Sequence, residues 1–416
     1  MLGIIRRIPL RPNYSWLILL AGFIILFFNS GSRFTFGLML KPMSEDLGWT
    51  RGSLTVSVTS FMVISALAMP IYGRLIDRYS LRLILAISVV TASLGLTLVS
   101  FVKEPWQFLI CYGVVFAVGH AGFSISTISV MIGRWFPKRP GIANSIAISG
   151  NGVGQLIIVA IIASLLLSQG WRFSYIALSI ATIALVLPLV VILVRSNPPR
   201  VDHPDSSEST ESTSAEALQF APSTGKSIIS REYGLLVILY AICGFQDFFI
   251  ATHITSFASD NNVSPEVAGN LLALMGLAAL VGVILSGVLS DRYGAKMPTT
   301  ICFVIRVVIF ILIGLSLNPP TIVAVTLIYG FTFLITAPLT VVFIRRIFGP
   351  LNMGTLMGGI NMVHQVGGAI GAFAGGVVFD ITGSYRLIML IMIGLATAGA
   401  ITVSLLREQP IKDTKE

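Results

Sequence analysis

Long apolar runs alternate along this chain with short connectors that hold nearly all of its charge. The runs fall at about 15–40, 53–73, 83–101, 106–131, 142–167, 172–194, 233–257, 267–289, 298–317, 321–344, 355–379 and 386–405. Each is long enough to cross a hydrocarbon layer of about 30 Å with some tilt. Inside lipid a single run satisfies its backbone groups only as a helix. The pattern therefore predicts an all-α membrane protein with twelve transmembrane helices in two pseudo-symmetric six-helix bundles. The first run is too long for a signal-peptide core and more runs follow it, so it is expected to stay in the mature chain.

The division into halves comes from the polar segment after run 6. Between Asp202 and Ala217 the chain is rich in Ser, Thr and acidic residues and nearly free of apolar ones. Such a stretch cannot bury enough surface to fold. The expected organisation is an N-terminal bundle over 1–196, a disordered cytoplasmic linker over 197–231 and a C-terminal bundle over 232–416. The halves also repeat. Gly73-Arg74-Leu75-Ile76-Asp77-Arg78 follows run 2, and Gly287-Val288-Leu289-Ser290-Asp291-Arg292 follows run 8, displaced by 214 residues. Gly141, Gly154 and Gly170 match Gly354, Gly367 and Gly383 at a displacement of 213. Internal symmetry of this kind is common among transporters.

Composition agrees: 55% of residues are hydrophobic and 11% charged, against about 25% charged in soluble domains. The net charge of +9 does not point to nucleic acid, because the basic residues lie in loops. Twenty Lys and Arg fall on the side of the termini and five on the other, which places both termini in the cytoplasm. Cys111, Cys243 and Cys302 each lie in an apolar run, so no disulfide framework is expected. Paired Cys/His metal spacing and a complete phosphate loop are absent, and Gly150, Gly152 and Gly154 lie inside a run, where they read as helix packing. No enzyme activity, cofactor or metal is expected.

Six ionisable residues interrupt the runs: Arg33, His120, Asp247, His253, Arg306 and His364. Such groups are functional candidates by default because lipid penalises them. Arg33 shares a helix face with Asn29, and a guanidinium there suits a carboxylate through two parallel hydrogen bonds. The repeat relates Arg33 to Gln246, beside Asp247, so Gln246 and Asp247 are expected to face Arg33 across the pseudo-twofold axis. Asp247, His120 and His253 are the candidates for proton coupling. Asn361, His364 and Gln365 share one face, as do Asn144, Asn151 and Gln155, and the repeat relates His364 to Asn151. Arg33, Asn29, Asn151, Asn361, His364, Gln365 and Gln246 form the expected substrate-binding set, and Arg306 is expected in a structural ion pair with Asp247 or a carbonyl.

The paired Gly-x-x-x-Asp-Arg loops resemble the signature of the major facilitator superfamily, and the resemblance runs from the first span to the last. It implies that Gly73, Asp77, Arg78, Gly287, Asp291 and Arg292 form a conformational latch between helix ends. A finer resemblance is to the bacterial branch related to monocarboxylate transporters. It is carried by Tyr14-Ser15-Trp16, Gly37, Gly48-Trp49-Thr50-Arg51, Arg134-Trp135-Phe136, Arg139-Pro140-Gly141, Gly170-Trp171-Arg172, His364-Gln365-Val366-Gly367 and Phe379-Asp380-Ile381-Thr382-Gly383-Ser384-Tyr385. It implies a monomeric secondary transporter of the bacterial inner membrane that moves a small organic anion with protons or by exchange. The arginine that relatives carry in span 8 has no counterpart between Gly269 and Ser290, which leaves Arg33 as its substitute. Export of drugs or acidic metabolites, and a sensor that keeps the fold without transport, are the alternatives.

Overall fold

The computed structural model describes residues 14–49, 51–195, 224–315, 318–350 and 352–408. The described residues form helices and connecting turns. Span 1 is Tyr14–Phe34 continued by Phe36–Leu47, span 2 Arg51–Arg78 and span 3 Leu81–Val99. Span 4 runs from Pro105 to Trp135 in pieces. Spans 5 and 6 form one segment, Pro140–Leu193, which turns a corner at Gly170 (φ 79°, ψ 174°). Spans 7, 8 and 9 are Arg231–Asp260, Pro265–Tyr293 and Lys296–Leu315. Span 10 is Pro319–Phe333 with Thr336–Phe348, span 11 Met353–Thr382 and span 12 Arg386–Leu405. With the corner at Gly170 the eleven long apolar segments make twelve crossings.

The corner explains why glycine stands at 170: that backbone region is essentially closed to residues with a Cβ. Its repeat mate Gly383 ends span 11 in the left-handed region (φ 65°). Most of the stretch expected to be a disordered linker lies outside the described residues. Its last part departs from the expectation, since Thr224–Ile228 is a short helix and Arg231 already opens span 7.

Spans 4 and 10 are discontinuous, which the apolar pattern did not reveal. Span 4 begins at Pro105, where Gln107 Oε1 accepts from the backbone N–H groups of Lys103 and Glu104. It is wound as a π-helix over Leu109–Phe116 and breaks at Phe123–Ser124. Span 10 breaks at Leu334–Ile335, and the repeat relates Phe123 to Thr336, only about two residues away. A break frees carbonyls that lipid would leave unpaired, so protein groups must reach them. Ser65 Oγ donates to Ala117 O (3.1 Å) and Asn29 Nδ2 to His120 O (3.1 Å). In the second half Tyr240 Oη donates to Thr336 O (2.8 Å) and Arg306 Nη2 to Thr332 O (3.1 Å).

Within the halves span 1 packs on span 5 and span 7 on span 11; across the halves span 2 packs on span 11 and span 5 on span 8. At one end the cross-half contacts close tightly. The Asp77 carboxylate accepts from Gly354 N (3.0 Å), Thr355 N (2.8 Å) and Thr355 Oγ1 (2.8 Å), which open span 11. Asp291 accepts from Gly141 N (2.7 Å) and Ile142 N (2.9 Å), which open span 5. Each carboxylate thus meets the unpaired N–H groups and positive dipole end of a helix in the opposite half. A Cβ on Gly73 would come 2.2 Å from Gly354 O, and one on Gly287 2.2 Å from Ser145 Oγ.

The arginines across this end are not those of the loop motif. Arg78 is exposed and Arg292 lies over the ring of Tyr293. Arg134 approaches Asp77 (3.9 Å) and donates to Ile76 O. Arg346 donates to Ser290 O (3.2 Å) and pairs with Glu408 (3.2 Å), whose carboxylate also accepts from Ala295 N and Lys296 N. Arg345 crosses between halves to the carbonyl of Gly133.

Candidate functional site

Arg33 lies near the end of the first segment of span 1, two residues before the irregularity at Thr35. Its guanidinium stands 5.6 Å from the Phe34 ring centroid and 5.5 Å from that of Phe248 in span 7 of the other half. Among the described residues no carboxylate pairs with it. Aromatic faces attract a cation but leave its five N–H donors largely unspent.

Phe248 also neighbours His364, with ring centroids 6.1 Å apart. His364 Nε2 faces Asp247 Oδ2 at 3.6 Å, and the His364 side chain keeps 23% exposure. Asp247 itself is buried and crowded with donors. Its Oδ1 takes Arg306 Nη2 (2.8 Å) and Tyr329 Oη (2.8 Å), and its Oδ2 takes Cys243 Sγ (3.3 Å). Arg306 has no exposed surface and spends its remaining donors on Thr332 Oγ1, Thr332 O and Gln246 Oε1. The guanidinium also lies 4.8 Å from the Tyr329 ring centroid. Thr332 ends the first segment of span 10, where a cation also suits the dipole. Arg306 and Asp247 thus form a buried ion pair within the second half.

Three residues expected in substrate binding or proton coupling, Gln246, Asn29 and His120, are used elsewhere. Gln246 does not face span 1: it is fully buried, accepts from Arg306 and donates to Met392 O (3.2 Å) in span 12. A one-position step around the helix separates Gln246 from Asp247, and the repeat displacement did not resolve it. Asn29 gives its amide N–H to His120 O, and His120 Nε2 lies 3.2 Å from Asn29 O. The His120 ring is buried among Phe61, Phe116 and Phe123. These two residues stitch span 1 to the stretch of span 4 just before its break, and both are buried.

His253 has both ring nitrogens engaged, Nδ1 with Tyr385 Oη (3.1 Å) and Nε2 with Ala372 O (2.9 Å). A ring held by a carbonyl on one side has its tautomer fixed, which suits bracing spans 7, 11 and 12. Asn361 donates to Met357 O within its own helix, Gln365 is nearly buried, and Asn151 is half-buried with Oδ1 unpartnered among the described residues.

Cys243, Tyr329 and Thr332 belong to the polar cluster, and sequence reasoning missed them. Cys243 stands four residues before Asp247 on the same helix face, a signal that was available. Tyr329 and Thr332 lie in an apolar run and carry no such mark. Cys243, Asp247 and His364 bring one ligand atom each within 4.8 Å of one another. Arg306 already supplies the positive charge there and contacts both Asp247 and Cys243, so the cluster is electrostatically matched to protons and anions rather than to a further cation.

A separate crevice of about 550 Å³ opens between spans 1, 5 and 6, lined by Phe27, Phe28, Ile158, Ile162, Leu178 and Ala181 among others. Its apolar lining includes none of the polar candidates. Past the membrane-crossing part of span 1, which ends at Leu40, Asp46 accepts from Trp171 Nε1 (3.1 Å) and from Arg172, and the Arg172 guanidinium, then the Trp171 indole, hold its carboxyl below the usual range.

A family model described as Major Facilitator Superfamily matches residues 22–252 and again 236–416. An uncharacterized MFS-type transporter of Bacillus subtilis (strain 168), YcxA, is 28% identical over 415 residues, covering 97% of this chain and 98% of that one. Monocarboxylate transporter 12 of Mus musculus is 24% identical over 327 residues, covering 72% of this chain and 66% of its own. The proton:xylose symporter XylE shares the fold with TM-score 0.77 at 15% identity, covering 95% of this chain and 96% of that chain. The E. coli fucose:proton symporter FucP does so with TM-score 0.72 at 14% identity, covering 95% and 100%.

Proposed function

The chain belongs to the Major Facilitator Superfamily, and on that premise we propose that it is a secondary transporter of small organic anions working by alternating access of two six-span halves. The observation that carries the reading is Arg33, a cation at the seam between halves whose neighbours are aromatic rings and which has no carboxylate partner among the described residues. An unpaired charge at membrane depth is costly, and a substrate carboxylate would remove that cost. The planar guanidinium would take it through two parallel bonds. The similarity to monocarboxylate transporter 12 supports the class of cargo. The two named symporters that share the fold support a proton as the driving ion, with exchange of anions as the other means of coupling.

The halves are assigned to 1–196 and 232–416. The excess of basic residues on the side of the termini supports a bacterial cytoplasmic membrane with both termini inside. The Asp77 and Asp291 contacts lie on that side, so they would act as the inner latch and the conformation described would face outward. His364 contributes to the site beside Phe248, and Asp247 with Arg306 forms the charged pair behind it. Uptake of labelled monocarboxylates into proteoliposomes, with and without a pH gradient, tests the function. Arg33→Gln should abolish both flux and the thermal stabilisation that a bound acid gives. Absence of flux for every acid under both conditions would refute the proposal.

A further inference from the structure

Arg33 and His364 come from opposite halves and both lie beside one ring. The Phe248 centroid lies 5.5 Å from the Arg33 guanidinium carbon and 6.1 Å from the His364 ring centroid. Counting charge shows what each can hold. Asp247 and Arg306 cancel in a 2.8 Å pair, so the C-terminal cluster is neutral when His364 is neutral and carries one positive charge when it is protonated. Arg33 alone is matched by one carboxylate. A charged His364 would then remain uncompensated in a low-dielectric site, which is strongly unfavourable, unless a second anionic group arrives with it.

The chemistry of the ring sharpens this. Nε2 faces the Asp247 carboxylate, and a carboxylate favours an N–H on that nitrogen. In the neutral ring Nδ1 is then a bare lone pair, which repels an anion. A carboxylate can sit at Nδ1 only when the ring holds both protons. The ionisable groups around His364 are Tyr240, Cys243 and Asp247 from span 7, with Arg306 of span 9 and Tyr329 of span 10 behind Asp247, and Arg33 of span 1 across Phe248. Asp247, the one acid among them, is already matched by Arg306.

Resting on the reading of Arg33 as an anion anchor, we infer that the site takes short dicarboxylates, with one carboxylate on Arg33 and the other on protonated His364, so that each dianion travels with one proton. The proton enters at Nδ1 with the substrate and leaves with it on the other side. Asp247 is the positioning residue that sets the tautomer, and His364 is the proton carrier. A monocarboxylate engages Arg33 only and brings no proton. One anchor in each half also lets the dianion draw the halves together.

Succinate and butyrate, which share a four-carbon chain, separate these cases. Calorimetry of the purified protein in two buffers of different ionisation enthalpy reads the protons taken up on binding. At a pH where His364 of the empty protein is neutral, succinate should bind with uptake of one proton, and its affinity should fall about tenfold with each further pH unit, because only the protonated fraction is competent. Butyrate should take up none. In His364→Gln, succinate should bind no better than butyrate and lose its pH dependence. Succinate binding without proton uptake in the unaltered protein overturns the inference whatever the variant does, and so does undiminished uptake in His364→Gln. If neither acid binds the unaltered protein, the anion reading falls as well. If Arg33→Gln loses butyrate while succinate brings no proton, the dicarboxylate inference falls alone.

Discussion

Replacing Arg306 by Met tests the cluster behind the site. The change keeps an apolar stem of similar length but removes the guanidinium between Asp247, Thr332 and Gln246. Asp247 becomes a buried carboxylate without its cation, and breaking one side of such a pair costs about 3–5 kcal/mol. Thr332 O, at the break in span 10, loses one donor but keeps Ile335 N (3.4 Å) and Cys302 Sγ (3.7 Å), so this adds only the net value of one hydrogen bond, about 1 kcal/mol. Asp247→Asn in the same chain removes the stranded charge and can still accept from Tyr329 Oη. The double variant should therefore recover most of the first loss and none of the second, standing about 2–4 kcal/mol above Arg306→Met. Denaturation in mixed micelles followed by the loss of helical circular dichroism measures all four members of the cycle. An Arg306→Met protein as stable as the parent, or a double variant no better than Arg306→Met, would refute the assignment of this pair as the structural centre of the C-terminal half.

Gly73→Ala places a methyl group 2.2 Å from Gly354 O, a backbone atom that cannot swing aside, so the latch end should stay open; labelling of cysteines introduced on spans 2 and 11 should rise, and unchanged labelling would count against the closure described. Asp46→Asn should cost less than about 1 kcal/mol at neutral pH, because the pair with Arg172 is exposed. The carboxyl is held below its usual range, so its contribution is present above the ordinary carboxylate pKa of about 3.9 and fades as pH falls through the lowered value. The melting temperatures of Asp46→Asn and the parent should converge in acid.

Much of the scaffold was legible because lipid imposes a simple code. Run lengths gave the spans, and the glycine repeat paired Gly170 with Gly383, although only the backbone shows that these two, unlike the other matched glycines, turn the chain at positive φ. The breaks in spans 4 and 10 were hidden because hydropathy reports depth and not backbone continuity. The site was half legible. Arg33, Asp247, Arg306 and His364 stood out because charge is rare in the runs, and their grouping around Phe248 needed the fold. Asn29 and His120 were misread because a polar side chain in a span can face a broken helix as readily as a cavity. Gln246 was misplaced because the repeat specifies a level in the membrane, whereas a single residue turns a helical side chain by about 100°. Arg78 and Arg292, adjacent to the latch aspartates, point off the interface, and Arg134, Arg345 and Arg346 supply the cations there.

The Asp291 contact with span 5 is made to two backbone N–H groups and no side chain. Every amino acid but proline offers that group, so the bond has a one-sided genetic address. Changing the carboxylate erases it, while Ile142 can vary without touching its chemistry. What the contact asks of Gly141 is room, since a Cβ there would meet Ser290 Oγ at 2.1 Å. A gate read in this way lets the opposite helix drift in sequence and keep its grip, so long as one position stays bare.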